Sequence, residues 1–207
     1  MIAIVDYKAG NLTSVRLAFE SLGVAVEVTQ DPSRILSASR VVFPGVGAAG
    51  DAMRNLREMG LVDPLREVVS KGTPFLGICI GMQLLFDRSE EDGGTPCLGI
   101  VPGEVKRFRP SNPLDKIPQI GWNTVKIKKP HPLFYGIEDE SEFYFVHSYY
   151  PSPSDPDDIY GETEYADARF ASVAGRNNLF ATQFHPERSG RIGLRLLENF
   201  CTWEGTC

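Results

Sequence analysis

Pro74-Phe75-Leu76-Gly77-Ile78-Cys79-Ile80-Gly81-Met82-Gln83-Leu84-Leu85-Phe86 is an apolar run that breaks at a glycine on either side of a cysteine. The residues up to Cys79 read as a strand and those after it as a helix, so the thiol falls on a sharp turn between them. Gly-x-Cys-x-Gly is the thiol form of a nucleophile elbow. Small flanking residues let the backbone bend tightly enough to hold a reactive side chain in the open at the edge of a sheet. At a helix N-terminus the dipole favours the thiolate, and first-turn N–H groups can stabilise a developing oxyanion. Free cysteine is also a common core residue, so the elbow alone decides little and the rest of the chain must be read beside it.

Upstream, residues 2–5 form a short continuous apolar run, as expected of a strand buried on both faces. A Gly10-Asn11 turn follows, in which Asn11 is placed to cap a helix whose Leu12, Val15, Phe19 and Leu22 recur at helical spacing. Residues 24–29 and 40–43 read as strands, 32–38 as a short helix or turn, and 51–59 and 61–70 as helices. This alternation argues an α/β fold on a mostly parallel or mixed open sheet flanked by helices. Pro44-Gly45-Val46-Gly47-Ala48-Ala49-Gly50-Asp51 is too glycine-rich for regular structure and lacks the endings of a P-loop. It reads as a flexible backbone donor at the carboxyl end of a strand, or as an ordinary tight turn.

Downstream, Glu90-Glu91-Asp92-Gly93-Gly94 reads as a solvated surface turn. Residues 101–108, 124–127 and 143–150 are β-rich and separated by proline-bearing loops, which predicts a small antiparallel excursion from the parallel core. Within 142–150 the phenylalanines and His147 alternate onto one face, so His147 is expected to be a satisfied core histidine. Residues 151–158 read as an acidic, proline-rich loop.

Leu179-Phe180-Ala181-Thr182-Gln183-Phe184-His185-Pro186-Glu187 is an apolar strand ending in His-Pro-Glu. Proline biases the preceding histidine toward extended backbone. Residues two apart in an extended chain project to the same side, so Glu187 can hold one imidazole nitrogen of His185 while the other faces a nucleophile. His-x-Glu alone is a weak signal. Its position at a strand end, together with the cysteine elbow and the glycine-rich loop, makes a Cys79, His185, Glu187 triad the economical reading. Residues 190–200 supply a closing helix.

Composition excludes several classes. The 207 residues suit one domain spanning 1–207, and lysine plus arginine number 21 against 27 acidic residues, a net charge of −6 with no long basic run. That balance speaks against nucleic-acid binding. The start of the chain lacks a basic leader and no apolar run reaches spanning length, so a soluble cytoplasmic protein without membrane association is expected. The four cysteines and three histidines have no spacing that reads as a metal ligand set or a disulfide scaffold. Neither a metal nor a cofactor is expected.

Gly-Ile-Cys-Ile-Gly-Met-Gln with Phe-His-Pro-Glu resembles the class I, triad-type glutamine amidotransferases, over almost the whole chain. The segments Gln119-Ile120-Gly121-Trp122-Asn123 and Tyr144-Phe145-Val146-His147-Ser148-Tyr149 are similar to the branch whose glutaminases serve histidine biosynthesis; glutaminases of anthranilate or pyridoxal phosphate synthesis are the alternative. The resemblance implies a flavodoxin-like fold and hydrolysis of glutamine through a Cys79 thioester, with His185 as base and acid and Glu187 holding the imidazole. It further implies oxyanion donors from the N–H groups of Val46 and Ile80, and glutamine binding by Gly47, Gln83, Ser148 and Tyr149. Ammonia would pass to a partner cyclase of (β/α)₈ fold on a separate chain, bordered by Arg188, Trp122, Asn123 and Asn11. One departure is Arg188, where the family more often has lysine.

Overall fold

The computed structural model describes residues 1–206; Cys207 lies outside the described residues. Five strands form the parallel half of a nine-stranded sheet: β1 (Ile2–Val5), β2 (Val26–Thr29), β3 (Arg40–Gly45), β4 (Phe75–Cys79) and the later Leu179–Thr182 strand, β13 by its place in the chain. They lie in the order β2-β1-β3-β4-β13 and pair in parallel. Every residue of β1, β4 and β13 is buried, because helices cover both faces and period-two alternation therefore disappears.

The two faces are nonetheless distinct. Ala3, Val5, Val41, Phe43 and Phe75 join one core with Ile35 of α2 (Pro32–Leu36), Met53 and Leu56 of α3 (Ala49–Glu58), and Leu65 and Val68 of α4 (Val62–Ser70). Ile2, Ile4, Val42, Leu76 and Ile78 join the other, with Phe19 of α1 (Leu12–Ser21). Leu196, Leu197 and Phe200 of the closing Gly190–Thr202 helix complete that second core. Successive side chains on each strand thus feed opposite cores.

Beyond β13 the same sheet continues antiparallel through β12 (Ala168–Arg176), β11 (Ile159–Tyr165), β8 (Gln119–Ile127) and β9 (Ser141–His147). Sequence reading finds parts of β8 and β9 but neither β11 nor β12, whose charged and small residues carry no clean alternation. A second sheet has the order β10-β7-β5-β6, built from β5 (Arg88–Ser89), β6 (Thr95–Pro96), β7 (Gly103–Arg107) and β10 (Tyr149–Pro153). The expected single strand over 143–150 therefore breaks at Ser148, where the chain leaves one sheet for the other. The expected loop at 151–158 begins as strand β10, paired with β7.

After Cys79 the helix α5 (Ile80–Gln83) is one turn long, and the remaining helix is α6 (Gly190–Thr202). Two glycines permit close approaches at the carboxyl edge of the parallel strands. A Cβ on Gly81 would lie 1.7 Å from the Phe43 carbonyl oxygen, and one on Gly193 would lie 1.9 Å from that of Pro186. α5 can press against β3, and α6 against the His-Pro-Glu turn, only because neither glycine has a side chain. Among the described residues no helix is long and apolar enough to cross a membrane.

Candidate active site

Cys79 ends β4 and precedes α5 with φ 55° and ψ −111°, a conformation that L residues rarely adopt. Such strain persists only where surrounding structure imposes it, and here it turns the thiol out of the strand line, as the elbow reading requires. The open turn expected from sequence is not observed. Cys79 is 4% exposed, because β10, the 46–48 loop and the His185 turn close around it.

His185 follows β13 and is held from three directions. Its N–H donates to the Tyr144 carbonyl at 2.9 Å. Its carbonyl accepts the Ser189 hydroxyl at 2.6 Å, and Ser189 Oγ in turn accepts the Tyr144 N–H at 3.0 Å. The imidazole Nδ1 meets Glu187 Oε1 at 2.8 Å, with both side chains buried. Nε2 is buried and has no hydrogen-bond partner among the described residues; it is the nitrogen left for the thiol. Burial alone would push the His185 pKa down, but the Cys79 thiolate on one side and Glu187 on the other outweigh it and raise the value to about 10. His185 is therefore protonated at neutral pH.

Asn11 does not cap α1. Its backbone is left-handed, φ 72°, and its side chain makes no cap bond. Nδ2 instead donates to Glu187 Oε1 at 2.7 Å. The αL backbone swings the amide away from the helix N-terminus and toward the buried carboxylate, a stronger acceptor for it.

A cavity of about 370 Å³ opens onto the thiol, lined among others by Val46, Gly47, Ile80, Gln83, Ser148 and Tyr149. All six residues assigned to the oxyanion and glutamine positions thus meet at one cavity with Cys79. Gln83 Nε2 donates to the Tyr149 carbonyl at 2.9 Å, tying α5 to β10. His147 is the satisfied core residue expected. Its Nδ1 donates to the Tyr149 carbonyl at 2.8 Å, so the Gln119 amide 3.0 Å from Nε2 must present its N–H₂ there.

Of the residues expected at a partner surface, Arg188 is exposed, edges the cavity and stacks its guanidinium 4.4 Å from the Tyr144 ring centroid. Trp122, 54% exposed, meets the Tyr144 ring edge-on. Asn123 is engaged within the sheet through the Glu164 carbonyl, and Asn11 through Glu187.

Two polar residues were not singled out from the sequence. Glu91 falls in the run whose composition predicts a solvated turn, yet it is half-buried at the cavity wall. Its Oε2 accepts the Ala49 N–H at 2.7 Å at the start of α3, and burial raises its pKa against that bond. Nothing local in a run of acids and glycines distinguishes it. Gln183 is fully buried and contacts both Gln83 and Cys79. Its signal was visible as a lone amide in an apolar strand, two residues before His185.

Residues 3–203 match the family model described as glutamine amidotransferase class-I. The chain is 52% identical over 200 residues to the imidazole glycerol phosphate synthase subunit HisH of Dehalococcoides mccartyi (strain CBDB1), covering 97% of this chain and 96% of that one. It is 52% identical over 199 residues to the subunit of the same name from Moorella thermoacetica, covering 96% and 93%. Among solved structures it superposes on a glutamine amidotransferase with TM-score 0.74 and 16% identity, covering 98% and 100%. PurLQS from Thermotoga maritima gives TM-score 0.73 and 16% identity, covering 97% and 96%; these two likenesses speak to the fold alone.

Proposed function

Because this chain belongs to the class-I glutamine amidotransferase family, we propose that it is the glutaminase subunit of an imidazole glycerol phosphate synthase. It hydrolyses glutamine to glutamate and ammonia for histidine biosynthesis. The observation that carries the mechanism is the arrangement of Cys79, strained at the end of β4, beside His185, whose far nitrogen is fixed by Glu187.

The Cys79 thiolate attacks the side-chain carboxamide carbon of glutamine. The oxyanion is met by the N–H groups of Ile80, at the start of α5, and Val46. His185, protonated in the resting pair, gives its proton to the departing ammonia and leaves a γ-glutamyl thioester. Water then attacks the thioester with His185 taking its proton, and glutamate is released as the Cys79 thiolate leaves, which restores the protonated imidazole of the resting pair. Glu187 keeps the imidazole in one tautomer throughout. Gly47, Ser148, Tyr149 and Gln83 hold the substrate. Glu91, the acidic side chain at the cavity wall, supplies a carboxylate for the α-ammonium group.

The whole of 1–207 acts as one amidotransferase domain, without cofactor or metal, in the cytoplasm. Ammonia passes to a cyclase subunit of (β/α)₈ fold. That barrel typically needs about 250 residues by itself, more than the 207 here. The surface around Trp122, Tyr144 and Arg188 at the cavity rim faces this partner, with Asn11 and Asn123 nearby in the same reading. Glutamine hydrolysis by the purified chain, measured with and without the cyclase and its nucleotide substrate, tests the proposal. Glutamate release that depends on Cys79 is expected, and its absence in the loaded complex would overturn the reading.

A further inference from the structure

Gln183 is wholly buried, and its backbone N–H is fixed to the Ser172 carbonyl of β12 at 2.9 Å. Its side-chain amide spans two residues of the site. Oε1 accepts from Gln83 Nε2 at 2.9 Å, and Nε2 lies 3.7 Å from Cys79 Sγ, within reach of an N–H···S hydrogen bond. The reverse orientation would set the amide oxygen against the sulfur and two N–H₂ groups against each other, so only one orientation satisfies both neighbours.

The consequence for Gln83 is definite. Its two N–H donors are consumed, one by Tyr149 and one by Gln183. What it can offer the cavity is its carbonyl oxygen, an acceptor. An acceptor at that wall suits a ligand bearing N–H groups, such as the carboxamide or ammonium of an amino-acid amide.

We propose that Gln183 is a second hydrogen-bond donor to the reacting sulfur and the residue that fixes which end of the Gln83 amide the substrate meets. One buried side chain thereby couples the nucleophile to substrate orientation, independently of the triad. A donor aimed at sulfur in a water-poor site stabilises the thiolate more than the thiol. Because it is not the imidazole, it remains in place while His185 exchanges protons. The inference rests on Cys79 being the nucleophile of the reaction proposed above.

The test is the rate of Cys79 carboxamidomethylation by iodoacetamide against pH, followed by peptide mass mapping because Cys97 and Cys201 are also free thiols. It is run on the full chain and on Gln183→Leu and Gln183→Glu, both required to melt cooperatively like the parent. The ionisable groups that bear on the profile are His185 and Tyr7, each coupled to Cys79, Glu187 behind His185, and His147, Glu91 and Arg188 at the cavity wall; none is altered. Loss of one hydrogen bond to a charged group should move the acid limb up by about one pH unit, a roughly tenfold drop at fixed pH on that limb. Gln183→Glu, which sets a carboxyl against the sulfur, should move it further. KM for glutamine in the loaded complex should rise in both variants, because the Gln83 amide is then free to turn. Superimposable alkylation profiles for parent and either folded variant would overturn the inference while leaving the nucleophile assignment intact. A parent chain in which Cys79 is not alkylated, or whose glutaminase survives Cys79→Ala, would overturn the proposed function and this inference with it.

Discussion

Asn11 Nδ2 and His185 Nδ1 meet the same carboxylate oxygen, Oε1 of Glu187, at 2.7 and 2.8 Å. The other oxygen, Oε2, is buried without a hydrogen-bond partner among the described residues. Asn11 therefore holds the orienting group of the proposed triad from the loop before α1. Asn11→Ala should lower glutaminase kcat by about 10- to 100-fold, the worth of one hydrogen bond to a buried charge at roughly 1.5–3 kcal/mol. KM should change little. Asn11→Asp, which brings a like charge to Glu187, should be worse. Steady-state glutamate release by the complex measures both, and an unchanged kcat in Asn11→Ala would assign the residue to the surface alone.

Cys79→Ala removes the proposed nucleophile. The expected loss of glutamine hydrolysis is on the order of 10⁴-fold or more. Because Cys79 is buried rather than exposed, a modest drop in Tm should accompany it. With the cyclase present, the variant should still support synthesis from added ammonium salt; failure there would contradict delivery of free ammonia between the subunits.

Glu91→Gln keeps the shape and one acceptor for the Ala49 N–H while removing the charge. Glutamine KM should rise at least tenfold with kcat less affected, since ground-state and transition-state binding are lost together. Inhibition by glutamate analogues lacking the α-amino group should be unchanged by the substitution. Equal KM in parent and variant would return Glu91 to a purely structural role at the start of α3.

The 46–48 segment joins β3 to α3, with Val46 38% exposed and Gly47 at φ 110°. A backbone donor in such a segment can turn away from the oxyanion at little cost. The isolated chain should therefore hydrolyse glutamine roughly 10²- to 10³-fold more slowly than the complex carrying the cyclase's nucleotide substrate, the worth of one missing oxyanion donor. Equal rates would make the loop a rigid donor. Gly47→Ala, strained at that φ whatever the space around it, should depress the stimulated rate.

Acid should destabilise the fold through two histidines outside the triad. Burial lowers the pKa of both His131 and His147 to about 4. In the unfolded chain each titrates near 6.5. Their contribution is thus fully present above about pH 6.5 and is lost as the pH falls toward 4, each pH unit of depression being worth about 1.4 kcal/mol. His185 has the opposite sign: raised to about 10, its contribution is present below about 6.5 and is lost as the pH rises through 10. Tm should fall as the pH is lowered from about 6.5 to 4, a window in which the His185 contribution is already complete. His131→Phe, which keeps the stacking on Phe180, should flatten that slope even if it lowers Tm at neutral pH through loss of the bond from the Leu133 N–H.

The parallel core was legible because its signals are local. Continuous apolar runs mark strands covered on both faces, helical spacing marks α1 and α6, and glycines beside Cys79 mark the elbow. The His-Pro-Glu segment was legible for the same reason: two residues two apart, with proline fixing the backbone between them. The antiparallel half was only partly legible. β11 and β12 owe their pairing to neighbours far along the chain, and no period within Ile159–Tyr165 announces them.

What the sequence by itself determined is the set of chemically competent groups and the local turns that present them: a thiol on a strained strand-to-helix turn and an imidazole with its carboxylate. What only the tertiary structure decided is which polar groups those three meet. Asn11 turned from helix cap to carboxylate donor, Glu91 from solvated turn to cavity wall, and Gln183 from a polar residue in a strand to a bridge between Cys79 and Gln83. Each partner lies tens of residues or more away in the chain, so the hydrogen bond that fixes its role forms only once the sheet order brings the strand ends together. A buried polar atom must then find the partner within reach.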